Sequence, residues 1–363
     1  MQQTITPIDN TVYIEREYNS DKIEDTINKS TIAQIGWSNL SVKERVDLLT
    51  KFVNDFLSRD KIISEELCRQ IGRPINQAAS ELKGFKERAD YMLSIAEKKL
   101  SDIDVTKDKN FKNFIRRRPL GVVFVIAPWN YPYLTAVNSI IPAMAAGNTV
   151  ILKHSAQTPL CAEQLYQSAK KILPKNVFNF LHLNHSDGLK IVSDKRVNFV
   201  SFTGSVKAGY DVQRATHEKF IDMALELGGK DPAYARYDCD LEKTVDNLVD
   251  GSFFNSGQSC CGIERIYVDE KIFNSFLELF ISKQDTFYTK EVIAEFKKAG
   301  LARRVVTKIW NKEGAFRVGI LFEYKGEKAY KDCQKLLEKH ILPHFKDFNT
   351  KVVGSRGIIV HEF

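Results

Sequence analysis

The sequence predicts a doubly wound α/β fold followed by a smaller α+β unit at the C-terminal end. Between residues 121 and 205, short apolar, β-rich runs alternate with helical patterns. Those runs lack the polar alternation of a strand with one wet face, so the sheet should be covered on both sides. After about residue 282 both charge balance and patterning change. Strand–helix–strand repeats at this spacing form parallel units with right-handed crossovers.

The elements follow in order. Residues 11–18 alternate enough for a short strand. From Ser41, Val42, Val46, Leu49, Phe52, Val53 and Phe56 recur at helical spacing. Helical patterning continues over 62–71 and, past the breaker Gly72–Pro74, from Ala78 to about Leu100. Gly121–Ile126 reads as a strand and is followed by Ala127-Pro128-Trp129-Asn130-Tyr131-Pro132. A helix over 134–146, with a bend at Pro142, ends at Gly147-Asn148. Strand 149–153, helix 159–173, strand 177–183, short helix 188–192 and strand 197–202 then alternate up to Thr203-Gly204-Ser205 and a further helix. Ligands of such sheets bind where strand C-termini meet helix N-termini, so loops 128–132, 154–158 and 203–205 should share one crevice.

A chain of 363 residues, 43% hydrophobic and 27% charged, has room for two or three globular domains. The N-terminus lacks the basic and apolar regions of a signal peptide. The runs 121–129 and 139–152 are too short or too interrupted to span a bilayer. No membrane partner is expected, and a cytoplasmic location is. The six cysteines include no CxxC pair and no His/Cys cluster with zinc spacing, so reduced thiols and no metal are expected. Residues 283–363 hold 17 Lys/Arg against 10 Asp/Glu, which accounts for the whole net charge of +7. The basic residues are dispersed, as on a solvated face, so nucleic acid is not an expected partner.

The chain has no GxGxxG, so a dinucleotide site cannot rest on that fingerprint. Four other segments occur in fixed order: Pro128-Trp129-Asn130-Tyr131-Pro132, Phe202-Thr203-Gly204-Ser205, Leu225-Glu226-Leu227-Gly228-Gly229-Lys230 and Phe254-Asn255-Ser256-Gly257-Gln258-Ser259-Cys260-Cys261. Glu226 precedes Cys260 by 34 residues. Together these segments resemble the aldehyde dehydrogenase superfamily from about residue 31 to residue 280. The resemblance implies an aldehyde-dehydrogenase-like fold with a Rossmann-like parallel sheet and a truncated catalytic domain. It implies oxidation of a small aldehyde to a carboxylic acid with NAD or NADP. Cys260 would be the nucleophile forming a thiohemiacetal, and Arg265 also matches. The Asn130 side chain and the Cys260 backbone N–H would bind the oxyanion. Glu226, in an apolar run and tuned by partial burial, would activate water against the thioester. The glycine pair after it allows close backbone approach.

For the cofactor, the resemblance implies that Ile126, Pro128, Trp129 and Lys153 border the adenosine half. Gly204 and Ser205 would face the pyrophosphate at a helix N-terminus, with Leu227 beside the cofactor. NAD-preferring members often place a glutamate where Ala156 stands. Its absence removes a carboxylate that would repel a 2′-phosphate, so NADP is admissible. The implied domains are residues 1–227, nucleotide binding with N-terminal helices; 228–282, a partial catalytic domain carrying the nucleophile; and 283–363, a basic α+β unit. The family's later segments, including a strand used in oligomerisation, are not recognisable. A homo-oligomer is still admissible.

Residues 283–363 read as a helix over 290–299, a strand over 303–310, a turn at 311–314, a strand over 316–324, a helix over 327–345 and a strand within 351–361. That order resembles a ferredoxin-like domain lacking its first strand, of the kind that pairs into dimeric α/β barrels. An alternative stands beside the enzyme: a truncated or fused nucleotide-binding fragment, catalytically impaired, joined to an interaction module.

Overall fold

The computed structural model describes residues 1–107, 110–284, 290–308 and 318–340. A hairpin of β1 (Gln2–Ile5) and β2 (Val12–Arg16) precedes four helices: α1 (Ile23–Asn39), α2 (Val42–Leu57), α3 (Asp60–Ile71) and α4 (Ile75–Leu100). Ser41 starts α2 with a reciprocal capping box, its hydroxyl accepting from the Glu44 N–H while the Glu44 carboxylate accepts from the Ser41 N–H. The short pair β3 (Ile103–Asp104) and β4 (Phe114–Ile115) follows. The wound segment is then β5 (Val122–Ala127), α5 (Pro132–Ala145), β6 (Thr149–His154), α6 (Pro159–Ile172), β7 (Phe178–Phe180), α7 (His185–Ser193), β8 (Val197–Gly204), α8 (Val206–Thr216) and β9 (Met223–Leu227). Pro132 and Pro159 open α5 and α6, where a missing N–H costs nothing. β10 (Asp231–Ala235), α9 (Leu241–Phe253), β11 (Ile263–Val268) and α10 (Phe273–Gln284) complete the family-like part, with β10 and β11 in a two-stranded ladder.

The five strands of the main sheet run in the order β7-β6-β5-β8-β9, all parallel. From β5 the chain winds one way through β6 and β7, then returns to the other side of β5 as β8 and β9. The switch point therefore lies between β5 and β8, and a crevice is expected at their C-terminal ends. Strand alternation sends Val123, Val125, Ala127, Val150 and Leu152 into one core with α2 to α6. Val122, Phe124, Ile151, Val197 and Val200 enter a second core with α7 and α8. Both faces are covered, as the unbroken apolar runs require.

The sequence pattern missed α1 and β1. Only Ile27, Ser30 and Trp37 of the 17 residues in α1 are buried, too few to impose a periodic apolar stripe. Strand β7 is shorter than expected. Leu181 and Leu183 beyond it are buried in the α7/α8 core, and the Leu181 N–H still donates to the Leu152 carbonyl of β6 at 3.0 Å. Pro142 lies inside α5, near its C-terminal end.

The chain divides into two compact units: residues 1–7, 11–233 and 250–267 in one, and 8–10, 234–249 and 268–363 in the other. The second unit contains α11 (Lys290–Ala299), β12 (Leu301–Lys308), β13 (Val318–Tyr324) and α12 (Glu327–His340), with β12 and β13 antiparallel. Buried Phe296 and Cys333 centre a small core against which Leu301, Phe322 and Leu336 pack. The expected turn at 311–314, the end of the last helix and the final strand lie outside the described residues. Among the described residues, no helix is long and apolar enough to cross a membrane.

Candidate active site

The parallel register aligns the C-terminal ends of the strands. Ile126 of β5 pairs with Lys153 of β6 on one side and Phe202 of β8 on the other. Phe202 pairs in turn with Leu225 of β9, and Thr203 with Glu226. Ile126, Lys153 and Phe202 line a cleft whose far wall is His185, Gly188 and Leu189 of α7 with Ala208, Asp211 and Val212 of α8. Loops 128–132, 154–158 and 203–205 leave the same sheet edge but do not line this cleft. Loop 154–158 is tied to the N-terminal hairpin, where the Thr4 hydroxyl donates to the Ala156 carbonyl at 2.9 Å and the Gln157 amide donates to the Ile5 carbonyl at 3.0 Å.

Lys153 is 6% exposed. Among the described residues its ammonium meets only the His154 carbonyl, at 3.5 Å, and forms no ion pair. Burial pushes its pKa down to about 8. Gly188 leaves room for its stem, since a Cβ there would lie 3.4 Å from the Lys153 Cδ. A buried lysine with one weak acceptor is a donor in need of a partner, and ribose hydroxyls in the cleft would supply one. The remaining expected cofactor residues surround the cleft rather than line it. Pro128 and Trp129 follow β5, with Trp129 40% exposed. A Cβ on Gly204 would come 2.6 Å from the Phe202 ring, so only glycine fits there. The Ser205 side chain caps α8, accepting from the Ala208 N–H. Leu227 packs onto α8 at Gly209.

The cleft residues that the sequence left without a role are His185, Gly188, Leu189, Ala208, Asp211 and Val212, while Phe202 stood only within a motif. Gly188 was the available signal, since a glycine within an amphipathic helix marks a close approach.

Asn130 is half-buried in the loop between β5 and α5, and its Oδ1 accepts from the Tyr131 N–H at 3.0 Å. That contact leaves the amide NH2 as the end with donors to offer. The Asn130 backbone carbonyl accepts from the Asn255 Nδ2 at 3.0 Å, which ties this loop to the segment leading to Cys260. A Cβ on Gly229 would lie 2.7 Å from the Cys260 carbonyl oxygen, so the backbone just past Glu226 runs against the cysteine. Gly228 faces open space. The structure thus joins the Asn130 loop, the glycine pair and the cysteine segment.

Cys260 and Cys261 are both exposed and free. Partial desolvation of the Cys260 sulfur, followed by the neighbouring Cys261 thiol, raises the Cys260 pKa above the ordinary thiol value. Arg265 lies exposed on β11, its guanidinium donating to the Lys230 carbonyl at 3.4 Å. The expected partial burial of Glu226 is corrected: Glu226 is exposed. Strand β9 is the edge of the main sheet. It turns Met223, Leu225 and Leu227 toward the α7/α8 core, while Ala224 and Glu226 face away. Residues 223–227 are therefore an alternating strand with one covered face. Among the described residues, no group of three or more His, Cys, Asp or Glu could hold a metal.

Comparison with known proteins defines the class. Residues 1–297 match the aldehyde dehydrogenase family, and the chain belongs to it. Residues 267–359 match a separate family described as Domain of unknown function (DUF6974). Among particular relatives, the chain is 33% identical to 2-aminomuconic 6-semialdehyde dehydrogenase of Pseudomonas sp over 76% of its own length and 58% of the relative's. It is 32% identical to D-glyceraldehyde dehydrogenase (NADP(+)) of Picrophilus torridus over 71% of its length and 53% of the relative's. The structure resembles 3,6-anhydro-L-galactose dehydrogenase in complex with NAP, with TM-score 0.74, 26% identity, and coverage of 87% of this chain and 72% of that one. The chain spans a little over half the length of those two curated relatives.

Proposed function

We propose that the chain binds NAD or NADP at the C-terminal ends of β5, β6 and β8 and oxidises a small aldehyde to a carboxylic acid. Lys153 grips the ribose, Ile126, Pro128 and Trp129 border the adenosine half, Gly204 and Ser205 meet the pyrophosphate, and Leu227 lies beside the cofactor. The Cys260 thiolate attacks the carbonyl carbon, and the Asn130 amide with the Cys260 backbone N–H takes the developing oxyanion. A dinucleotide bound there would supply the hydride acceptor needed to take the Cys260 thiohemiacetal to a thioester. Glu226 then removes a proton from water as it attacks the thioester carbon, and the acid departs as the Cys260 sulfur is released.

The observation carrying this proposal is the backbone junction at Gly229 and Cys260, which places the base segment against the nucleophile segment. Lys153, buried with no acidic partner among the described residues, supports the dinucleotide. Relatives named for semialdehyde and glyceraldehyde oxidation point to small polar aldehydes. Residues 1–227 are assigned to nucleotide binding, 228–282 to catalysis and 283–363 to interaction, including self-association. Free thiols suit a cytoplasmic setting.

The test is NAD(P)H formation from short aldehydes, followed by absorbance, against a Cys260→Ala variant. Turnover by the parent and none by the variant is the expected result. Equal rates in both, or none in either, would overturn the enzyme assignment. The exposure of Glu226 and Cys260 favours a second reading, a nucleotide-binding protein with impaired turnover. Nucleotide-dependent thermal stabilisation without product would support that reading.

A further inference from the structure

Arg73 and Glu81 form an ion pair with both side chains fully buried. The guanidinium reaches three separate segments. Its Nη1 donates to the Glu81 carboxylate, Nε donates to the Asn255 Oδ1 at 2.8 Å, and Nη2 donates to the Asn130 carbonyl at 2.8 Å. It also lies over the Tyr131 ring, 4.7 Å from the centroid. The second Glu81 oxygen accepts from the Tyr133 and Leu134 N–H groups at 2.8 and 3.1 Å, closing the first turn of α5 directly after the Asn130 loop.

On the other side, Asn255 is wholly buried and works as a hub. Its Nδ2 donates to the Asn130 and Gln258 carbonyls, and its N–H donates to the Gln77 Oε1 at 2.8 Å. The Gln258 amide donates back to the Asn255 carbonyl and to the Ile71 carbonyl. Asn255 and Ser256 both take left-handed backbone angles, with φ of 54° and 57°. Two consecutive non-glycine residues in that region persist only where their surroundings over-determine them. The buried network supplies that constraint five residues before Cys260.

We propose that Arg73, locked to Glu81, is a positioning residue that holds the Asn130 loop and the Cys260 loop in one rigid frame, an inference that rests on the aldehyde-oxidising reading above. Arginine suits the task because one planar fork makes several directed bonds, which a lysine ammonium cannot do over the same span. Neither Arg73 nor Glu81 is placed on the reacting atoms. Their effect passes through the two loops.

The test uses the full chain carrying Arg73→Met together with Glu81→Gln. Removing arginine alone would strand a buried charge, whereas the pair of changes is neutral and keeps a carbonyl oxygen for Tyr133 and Leu134. Amide hydrogen exchange should speed at least tenfold in segments 128–131 and 253–260 together, with β5 and β6 unchanged. The rate constant kcat should fall about 10- to 100-fold, while thermal stabilisation by NADP and the nucleotide KM stay within twofold.

Arg73→Lys keeps the charge for Glu81 but not the three-way reach. If the double variant does not fold, it should show the same pattern at about fivefold or more. Unchanged exchange in either segment, or parallel loss of nucleotide affinity and kcat, would overturn the proposal. If the parent turns over no aldehyde, the aldehyde-oxidising reading fails, and the exchange result still decides whether the two loops share a frame.

Discussion

Lys153 and Cys260 belong to the same compact unit and meet water on opposite terms. Lys153 is enclosed between a sheet covered on both faces and the helices α7 and α8, and burial alone lowers its pKa. Cys260 and Glu226 lie exposed, one in a loop and the other on the outward face of an edge strand. The Lys153 cleft is therefore shaped by packing. The Cys260 segment is held by backbone contact at Gly229 and by hydrogen bonds through Asn255. A group fixed by packing pays its desolvation whether or not a ligand is bound, while an exposed group keeps its solution chemistry until something covers it.

The comparison can be broken first at exposed Glu226, the proposed base. Glu226→Gln should lower kcat by about 10²-fold, within the range for a positioned base. A pre-steady-state burst of NAD(P)H should remain, because only the step after hydride transfer is slowed. Loss of the burst along with turnover would place Glu226 earlier in the reaction.

The next largest effect is expected at Lys153. Lys153→Met should weaken NADP binding about 10- to 100-fold, as loss of a charge-assisted hydrogen bond does. It should also stabilise the nucleotide-free protein at pH 7 by about 3 kcal/mol, since the folded pKa lies near 8 against an ordinary 10.5. The sign follows from proton counting. Between pH 8 and 10.5 the unfolded chain binds more protons at this site than the folded one, so the parent gains stability as pH rises through that window. Below pH 8 the full cost is present. Denaturant unfolding at pH 7 and pH 10 should show the gap between parent and variant closing, and a constant gap would contradict the account.

The smallest effect concerns Cys261. Cys261→Ala removes the second contribution to the raised Cys260 pKa and leaves desolvation, the larger one, in place. The pH profile of Cys260 alkylation should move to lower pH by less than the full shift. A profile unmoved by the substitution would assign the shift to desolvation alone.

Much of the wound α/β part was legible in the sequence because apolar strands and breakers follow each other from Val122 to Gly204 with little ambiguity. Helix α1 was not, since it contributes only three buried residues. The exposure of Glu226 was hidden for a related reason. Met223-Ala224-Leu225-Glu226-Leu227 looks continuously apolar until the sheet order shows that β9 is an edge with one covered face. The Arg73–Glu81 pair was invisible for the opposite reason. A charged residue in a breaker or in a helical pattern reads as surface, and only the fold reveals that both side chains are fully enclosed. His185 joined the cleft through packing of α7, which no local motif announces, and Gly188 was the one local signal of that close approach.

The central claim is that Cys260 carries the acyl group which Glu226 helps release. Mixing the Glu226→Gln protein with a short aldehyde and NADP, quenching in acid within seconds, and mapping the product by mass spectrometry tests it directly. The account predicts an added acyl mass on the peptide containing Cys260, absent when nucleotide is omitted and absent in Cys260→Ala. No acyl adduct, or one borne by another residue, would contradict it.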